Sequence, residues 1–281
     1  TVASSCCRWR TPRPSSLVRR CRSASVLASL REGRNHRRPP ARTLALIADP
    51  VFERGDVRFG NKRAGGLQRT GFLGQLRKAS LRQEVPGQGY SRLHWSKEEA
   101  DRILSLVPRS QAFEARGFQA SVATVTSAPL DQYSLLHFAT HGRIDSFQPE
   151  RSSLVLSLYT PEGDRQDGYL RLADVYNLRL NADLVVLSAC QTALGKEMRG
   201  EGLIGLTRGF MLAGSRRVLA SLWSVDDRVT AELMERLYKG MLNEGKSPAA
   251  ALRQAQRDML RDEDWQSPYY WAGFSLQGEW Q

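Results

Sequence analysis

Two stretches decide the fold: Tyr133–Gly142 (YSLLHFATHG) and Asp183–Cys190 (DLVVLSAC). Each starts as a continuous apolar run, which is typical of a central strand in a parallel sheet. Each then leads directly into a reactive side chain, His141 in the first stretch and Cys190 in the second. Ligands of open parallel sheets bind at the carboxyl ends of the strands. His141 and Cys190 are therefore predicted to lie at the same edge of a sheet.

Strands alternate with helices along the chain from residue 43 onward, which predicts an α/β layered fold with a mostly parallel sheet. Further strands are predicted at Thr43–Ala48, Ser121–Thr126, Ser153–Leu158, Val218–Trp223 and, at an edge, Ala272–Leu276. Ser96 and Glu99 have the spacing of a capping box, which predicts a helix that begins there and ends at Leu106. Further helices are predicted at Gly168–Leu178, Leu203–Ala213, Asp226–Leu242 and Pro248–Leu260. Residues 54–92 have no clear period and are predicted to form a long loop.

The composition excludes several classes of protein. Of the 281 residues, 41% are hydrophobic and 25% are charged, as in an ordinary globular protein, so disorder along the whole chain is excluded. No window reaches the ~18 consecutive apolar residues that a membrane-spanning helix needs. Four cysteines in a chain of this length are too few for a disulfide scaffold.

The net charge of +12 is concentrated in an N-terminal segment, residues 1–42, which holds eleven arginines and one acid. This segment is rich in Arg, Ser and Pro, lacks apolar periodicity and is predicted to be disordered. It is compatible with binding to nucleic acid or anionic lipid, with a transit peptide, or with a non-conserved lead-in, an inaccurate gene start or the ragged edge of a longer protein. The start at Thr1 favours the last. Cys6, Cys7 and Cys21 are interpreted as unpaired surface thiols.

His141 and Cys190 form the strongest chemical constellation in the sequence. A cysteine at the exit of a strand, followed by a turn and a helix, is placed where backbone N–H groups favour the thiolate and can hold an oxyanion. An imidazole beside it can take the thiol proton and return it to a leaving amine. Gly142 has no side chain, so its N–H can approach a substrate carbonyl closely. His137, inside the strand, is interpreted as a satisfied core histidine.

No cofactor is predicted. The His, Cys and acidic residues lack metal-ligand spacing, and the sequence has neither a P-loop nor a GxGxxG fingerprint.

His137–Gly142 (HFATHG) together with Leu187–Thr192 (LSACQT) resembles the CHAT domain, a family of caspase-like cysteine peptidases that is related to separase and often fused to tetratricopeptide repeats. Later blocks of the family are resembled by Gly200–Phe210, Val218–Asp227, Ser247–Gln256 and Pro268–Trp280, and its first strand by Ala48–Pro50. The resemblance covers residues 43–281. No tetratricopeptide repeats are recognisable in this chain, which indicates either a short stand-alone member or the end of a longer protein.

The resemblance implies a caspase/haemoglobinase-like layered αβα fold in which His141 is the general base and Cys190 the nucleophile. The N–H groups of Gly142 and Cys190 would form the oxyanion hole. The segment Leu219–Asp227 would help to line the pocket for the P1 side chain, the substrate residue before the cleaved bond.

Four residues are candidate substrate contacts. Trp223 is a candidate wall of the pocket, and Asp145, Asp226 and Asp227 are candidates to attract a basic P1 side chain. Asp226 and Asp227 stand at the head of a predicted helix, however, so an N-cap role explains them equally.

The function predicted first is that of a cysteine endopeptidase acting on a protein or peptide substrate and regulated by a partner, such as a tetratricopeptide-repeat region, or by self-cleavage. The alternatives are a non-enzymatic interaction module on the same fold, or polyanion binding through residues 1–42. A signal peptide's apolar region is absent from the sequence, which favours a cytoplasmic location. The reducing cytosol would keep Cys190 in the thiol form.

Overall fold

A computed structural model describes residues 39–59, 89–145, 148–188, 190–193 and 201–279; for residues 149, 190–193 and 201–203 it describes only the backbone. These residues belong to one compact unit, Pro39–Gln281. The predicted N-terminal segment lies outside the described residues, except for 39–42. Its disorder, its thiols and its polyanion contact therefore stay predictions.

Ten strands are seen in the described part of the chain. They are β1 (Arg42–Ala48), β2 (Ala112–Arg116), β3 (Tyr133–Ala139), β4 (His141–Ile144), β5 (Ser153–Val155), β6 (Tyr169–Arg171), β7 (Leu184–Leu187), β8 (Cys190–Ala193), β9 (Arg217–Ser221) and β10 (Phe274–Gly278). The described helices are α1 (His94–Leu104), α2 (Val122–Ser127), α3 (Leu172–Asn177), α4 (Glu201–Ala213), α5 (Asp227–Leu242) and α6 (Pro248–Arg261).

Six strands form the central sheet, in the order β10-β9-β7-β3-β1-β2. All neighbours are parallel except β10, which runs antiparallel to β9. The edge position of β10 confirms the predicted edge strand, whereas its direction was not predicted. The chain therefore winds outward in one direction through β1 and β2 and in the other through β3, β7 and β9. The reversal between β1 and β3 is a topological switch point, where the connections at the carboxyl ends diverge and leave a crevice.

Helices cover both faces of this sheet because its strands are apolar on both faces. In β3, Leu136 and Phe138 face a core completed by α2, α3 and α4, whereas Leu135 and Ala139 face a core completed by α1, α5 and α6. Such two-sided burial is typical of parallel sheets. The predicted three-layer αβα fold with a mostly parallel sheet is confirmed.

A second, four-stranded sheet has the order β6-β5-β4-β8. Its strands β4 and β8 follow β3 and β7 after breaks of one and two residues, respectively, and run parallel to each other. The second sheet thus extends β3 and β7 past their carboxyl ends and keeps the register with which these two strands pair in the central sheet.

The prediction of a strand at Ser121–Thr126 is wrong, because Ser121 is the N-cap of α2 and the next five residues are helical. The Ser121 hydroxyl is the N-cap and accepts a hydrogen bond from the Thr124 N–H at 3.2 Å. Alternating β-branched residues suggest a strand, but in a segment of only six residues one cap can decide the conformation.

The predicted capping box is also wrong. Helix α1 begins at His94, so Ser96 lies within its first turn, and the Ser96 hydroxyl donates to the Leu93 carbonyl at 2.7 Å. The first turn is capped from another element, because the Asp227 carboxylate accepts the Trp95 N–H at 3.1 Å. Glu99 is buried and has partners elsewhere in the fold.

The other predicted elements differ in extent. The strand predicted at Ser153–Leu158 is shorter, ending at Val155 as β5, and the helix predicted at Gly168–Leu178 is divided into β6 and α3. Of the long loop predicted at 54–92, residues 60–88 lie outside the described residues. None of the described helices has the length and apolar character that crossing a membrane requires.

Candidate active site

The carboxyl ends of β1, β3, β7 and β9 lie along one edge of the central sheet. Strand β3 ends at Ala139, and His141 follows after one residue as the first residue of β4. Strand β7 ends at Leu187, and Cys190 follows as the first residue of β8. In the β4–β8 pair, His141 and Cys190 are direct partners in register. The fold therefore brings the two predicted catalytic positions together on adjacent strands, which in a sheet are about 4.8 Å apart.

The His141 imidazole is held in one orientation. It is 5% exposed, and its Nε2 lies 2.8 Å from the carbonyl oxygen of Ser91. Because a carbonyl oxygen only accepts hydrogen bonds, Nε2 carries the hydrogen, and the neutral ring has its lone pair on Nδ1. The Nδ1 atom is buried and has no hydrogen-bond partner among the described residues. No described residue donates a hydrogen bond to Nδ1, so this nitrogen can accept a proton from another group.

Two aromatic side chains pack against this imidazole. The ring of Phe52, four residues after β1, lies 4.9 Å from that of His141, and the ring of Tyr90 lies 5.4 Å away. A cavity of about 430 Å³ adjoins this contact and is lined in part by Phe52, Ser91 and Arg92. Its lining comes from the segment after β1 and from residues 91–94, so the cavity lies beside the carboxyl end of β1.

Burial controls the protonation of His141. Removal from water disfavours the imidazolium and lowers the pKa of His141 below its ordinary value. The hydrogen bond to the Ser91 carbonyl and the negative charge of Asp227 oppose this effect without cancelling it. The imidazole is therefore neutral at pH 7 and able to accept a proton.

The family model of the CHAT domain matches residues 14–279 of the chain. The chain belongs to the CHAT domain family. Tetratricopeptide repeat protein 28 of Mus musculus is 38% identical over 109 residues, which is 39% of this chain and 4% of that protein. The human protein of the same name is 37% identical over 113 residues, 40% of this chain and 4% of that protein. This CHAT domain thus spans a small fraction of the length of the curated relatives that it matches.

CHAT domains are a caspase-like family, and the resemblance carried by His137–Gly142 and Leu187–Thr192 is confirmed. Gly142, the last residue of the first motif, lies in β4 between Leu154 of β5 and Gln191 of β8. Its N–H and that of Cys190 stay predicted members of an oxyanion hole.

The candidate substrate contacts of the CHAT domain lie on two segments. Asp145 follows β4, four residues beyond His141 or about 13 Å along an extended strand, and its carboxylate accepts the Gln148 N–H at 2.9 Å. Trp223 follows β9, is half-buried and stacks on Tyr269 with 6.4 Å between the ring centroids. The Trp223 indole N–H donates to the Tyr269 carbonyl at 2.8 Å.

The two acids after Trp223 both cap helices of the CHAT domain. Asp226 is the N-cap of α5 and accepts from the N–H groups of Arg228 and Val229. Asp227 caps α1 through the Trp95 N–H. The N-cap interpretation is confirmed for Asp226. Asp227 is close enough to His141 for its charge to affect the pKa of that imidazole.

A pair of substitutions separates the cap from a contact with substrate. Asp226→Ala is expected to lower the free energy of unfolding by about 1 kcal/mol, because the N-cap acceptor is lost. Asp226→Ser keeps an acceptor but removes the charge, so it should unfold at nearly the wild-type urea concentration. The cap-only role would be contradicted if the serine variant, though stable, lost a preference for Arg or Lys in a P1-scanned peptide library.

A buried polar cluster, consisting of Glu99, His137, Ser188 and Tyr238, lies beneath the site. The Ser188 hydroxyl donates to Glu99 Oε1 at 2.6 Å, and His137 Nε2 lies 3.0 Å from the same oxygen but out of hydrogen-bonding alignment. The His137 Nδ1 and the Tyr238 hydroxyl are 3.1 Å apart. His137 is fully buried, so its interpretation as a core histidine is confirmed, but only its Nδ1 has a hydrogen-bond partner among the described residues.

Sequence reasoning missed the groups that support the dyad positions. Ser91 acts through its carbonyl, which every residue type offers, so no side-chain pattern identifies it. Glu99 was assigned to a capping box, which hid its contact with Ser188, a residue two positions before Cys190. Among the described residues, no three His, Cys, Asp or Glu side chains are grouped to hold a metal ion.

Proposed function

We propose that this CHAT domain is a cysteine endopeptidase with a His141/Cys190 dyad. The main support is the combination of backbone register and imidazole orientation. His141 and Cys190 are paired residues on β4 and β8, and the Ser91 carbonyl fixes the hydrogen on Nε2. The lone pair on Nδ1 is then available for the proton of a thiol.

In the proposed reaction, Nδ1 of His141 accepts the proton of the Cys190 thiol as the sulfur attacks the carbonyl carbon of the scissile peptide bond. The N–H groups of Gly142 and Cys190 stabilise the negative oxygen of the tetrahedral intermediate. The imidazolium then gives its proton to the leaving amine, and the C–N bond breaks to leave a thioester. Water, deprotonated by His141, hydrolyses the thioester and regenerates the thiol.

The finer assignments belong to the same proposal. A protein or peptide is the proposed substrate, and Trp223, Asp145 and Asp227 are proposed to contribute to its binding. Asp226 is a fourth proposed contact, in which its negative charge attracts the substrate while its carboxylate also caps α5. Because the matched relatives are named tetratricopeptide repeat protein 28, a tetratricopeptide-repeat region is the proposed regulatory partner. A reducing compartment such as the cytoplasm is proposed, since the mechanism needs a free thiol.

A thiol-directed peptide acyloxymethyl ketone at neutral pH tests the proposal. Wild type, Cys190→Ala and His141→Ala are treated in parallel, and the modified residue is located by peptide mass spectrometry. We expect modification of Cys190 in the wild type, strongly slowed in His141→Ala. Cys6, Cys7 and Cys21 provide the rate of nonspecific alkylation within the same chain.

The alternative is an interaction module that keeps the fold without the chemistry. In that case Cys190 would react no faster than the three N-terminal cysteines, or equally fast with and without His141. Either result, obtained with folded protein, would contradict the proposed peptidase.

A further inference from the structure

Asp49, the residue directly after β1, has an unusual backbone and a buried carboxylate. Its φ is 49°, in the left-handed region that few residues other than Gly, Asn and Asp adopt. The residue is 5% exposed. A buried carboxylate is costly unless it is paired and hydrogen-bonded, so the partners of Asp49 must be well placed.

Two guanidinium groups meet this carboxylate. Arg92 binds it with both prongs, Nε to Oδ1 and Nη2 to Oδ2, each at 2.9 Å. Arg58 Nη1 lies 3.0 Å from Oδ2 and is held in turn by Asp56. The Asp49 backbone is fixed as well, because its carbonyl accepts the Gly117 N–H at 3.1 Å. Asp49 is therefore a rigid anchor at the carboxyl end of β1.

Arg92 is adjacent in the chain to Ser91, whose carbonyl binds the His141 imidazole. Residues 89–93 belong to no helix or strand, so the position of the Ser91 carbonyl is not fixed by the backbone hydrogen bonds of a helix or a sheet. The bidentate pair with Asp49 supplies the missing restraint one residue away. Because β1 and β3 are neighbours, with Ala48 opposite Ala139, the anchor and the histidine lie at the same edge of the sheet.

We infer that the Asp49–Arg92 ion pair is a positioning device for His141: it fixes the Ser91 carbonyl against Nε2 and thereby sets the ring orientation and the tautomer with its lone pair on Nδ1. Asp49 and Arg92 are positioning residues, since neither touches the imidazole itself. The catalytic consequence rests on the proposed peptidase function, whereas the tautomer is a property of the folded protein alone.

The tautomer is measurable by ¹⁵N NMR on the full chain with labelled histidines. There are four histidines, and His141→Gln assigns the signals of interest. Asp49→Asn is the first variant, because Asn tolerates the left-handed backbone but carries no charge. Arg92→Lys is the second, because it keeps the charge but loses the two-pronged fork. In both we expect the two ring-nitrogen shifts of His141 to move from one fixed tautomer toward the average of two.

The same variants are then alkylated with the peptide acyloxymethyl ketone. A histidine that is no longer held in the productive orientation should slow the reaction of Cys190 by about ten- to a hundredfold. The control is Arg236→Lys, which disturbs the ion pair between Arg236 of α5 and Asp262, the residue after α6. The side chains of Arg236 and Arg92 are similarly exposed, at 22% and 24%. This control is expected to leave both the His141 shifts and the alkylation rate unchanged.

The inference would be overturned if folded Arg92→Lys and Asp49→Asn both kept the wild-type His141 shifts, since the ion pair would then be structural only. If one variant fails to fold, the other decides. Failure of the peptidase proposal gives a different result: wild-type Cys190 would lack enhanced reactivity, while the His141 shifts would still change in the variants.

Discussion

His141→Gln is expected to slow the alkylation of Cys190, and the hydrolysis of a peptide substrate, by about 10²–10⁴-fold, the range typical of a lost general base. Glutamine is chosen because its amide N–H can still donate to the Ser91 carbonyl. The substitution therefore removes the proton acceptor at the position of Nδ1 while keeping the contact that holds the side chain in place.

The pH dependence provides a second measurement. Burial lowers the pKa of His141, so in the wild type the rate should fall only as the pH drops below about 6.5, the ordinary pKa of histidine. As the pH passes through the lowered pKa, Nδ1 takes a proton from solvent and can no longer accept one from the thiol. In His141→Gln only the spontaneously ionised thiolate can react, so the rate should already fall below about pH 8.5, the ordinary pKa of a cysteine thiol.

The control for both measurements is His36→Gln, which removes a histidine of the N-terminal segment. This variant should keep the wild-type rate and pH profile. A rate for His141→Gln within threefold of the control, or an acidic limb at the same pH in the variant and the wild type, would rule out His141 as the general base.

The central sheet was predictable because the apolar runs in the sequence indicate which strands are buried. Asp183–Ala189 and Tyr133–Thr140 are apolar on both faces, and only a strand covered by helices on two sides satisfies such runs. The prediction failed for Ser121–Thr126, where six residues are too few to distinguish a period of two from a single helical turn. There the hydroxyl of Ser121, placed as an N-cap, determined the conformation.

The positions of His141 and Cys190 were predictable for a related reason: each follows a strand that could be recognised. Their direct pairing across β4 and β8 depends on register, which the sequence did not indicate. The pairing of Asp49 with Arg92 spans a segment without periodicity. Nothing local indicates which of the many arginines is the partner, and only the folded chain identifies it.

Glu99 shows how a locally consistent pattern can mislead. Ser96 and Glu99 have the spacing of a capping box, yet Glu99 is 3% exposed and its carboxylate binds the Ser188 hydroxyl. The contact with Ser188, made only in the folded state, overrides the local pattern. Burial, and after it the charge of Glu99, also raises the pKa of Tyr238 well above its ordinary value, so the phenol keeps its proton.

Glu99→Ala is accordingly expected to lower the free energy of unfolding by about 1–3 kcal/mol, the cost of one buried polar group left without a partner. The Ser188 hydroxyl loses its acceptor, and His137 Nε2 loses its neighbouring carboxylate oxygen. Glu99→Gln retains an oxygen that can accept from Ser188, so its loss should be about 1 kcal/mol. Urea unfolding followed by tryptophan fluorescence measures all three proteins.

The matched control is Glu98→Ala, one residue earlier in α1. Glu98 is 48% exposed and pairs with Arg102 on the surface, so its removal should change the stability by less than about 1 kcal/mol. Because Ser188 lies two residues before Cys190, we also expect Glu99→Ala to slow alkylation of Cys190 in folded protein, and Glu98→Ala to leave it unchanged. Equal stabilities of the two alanine variants would show that the contact of Glu99 with Ser188 does not stabilise the fold.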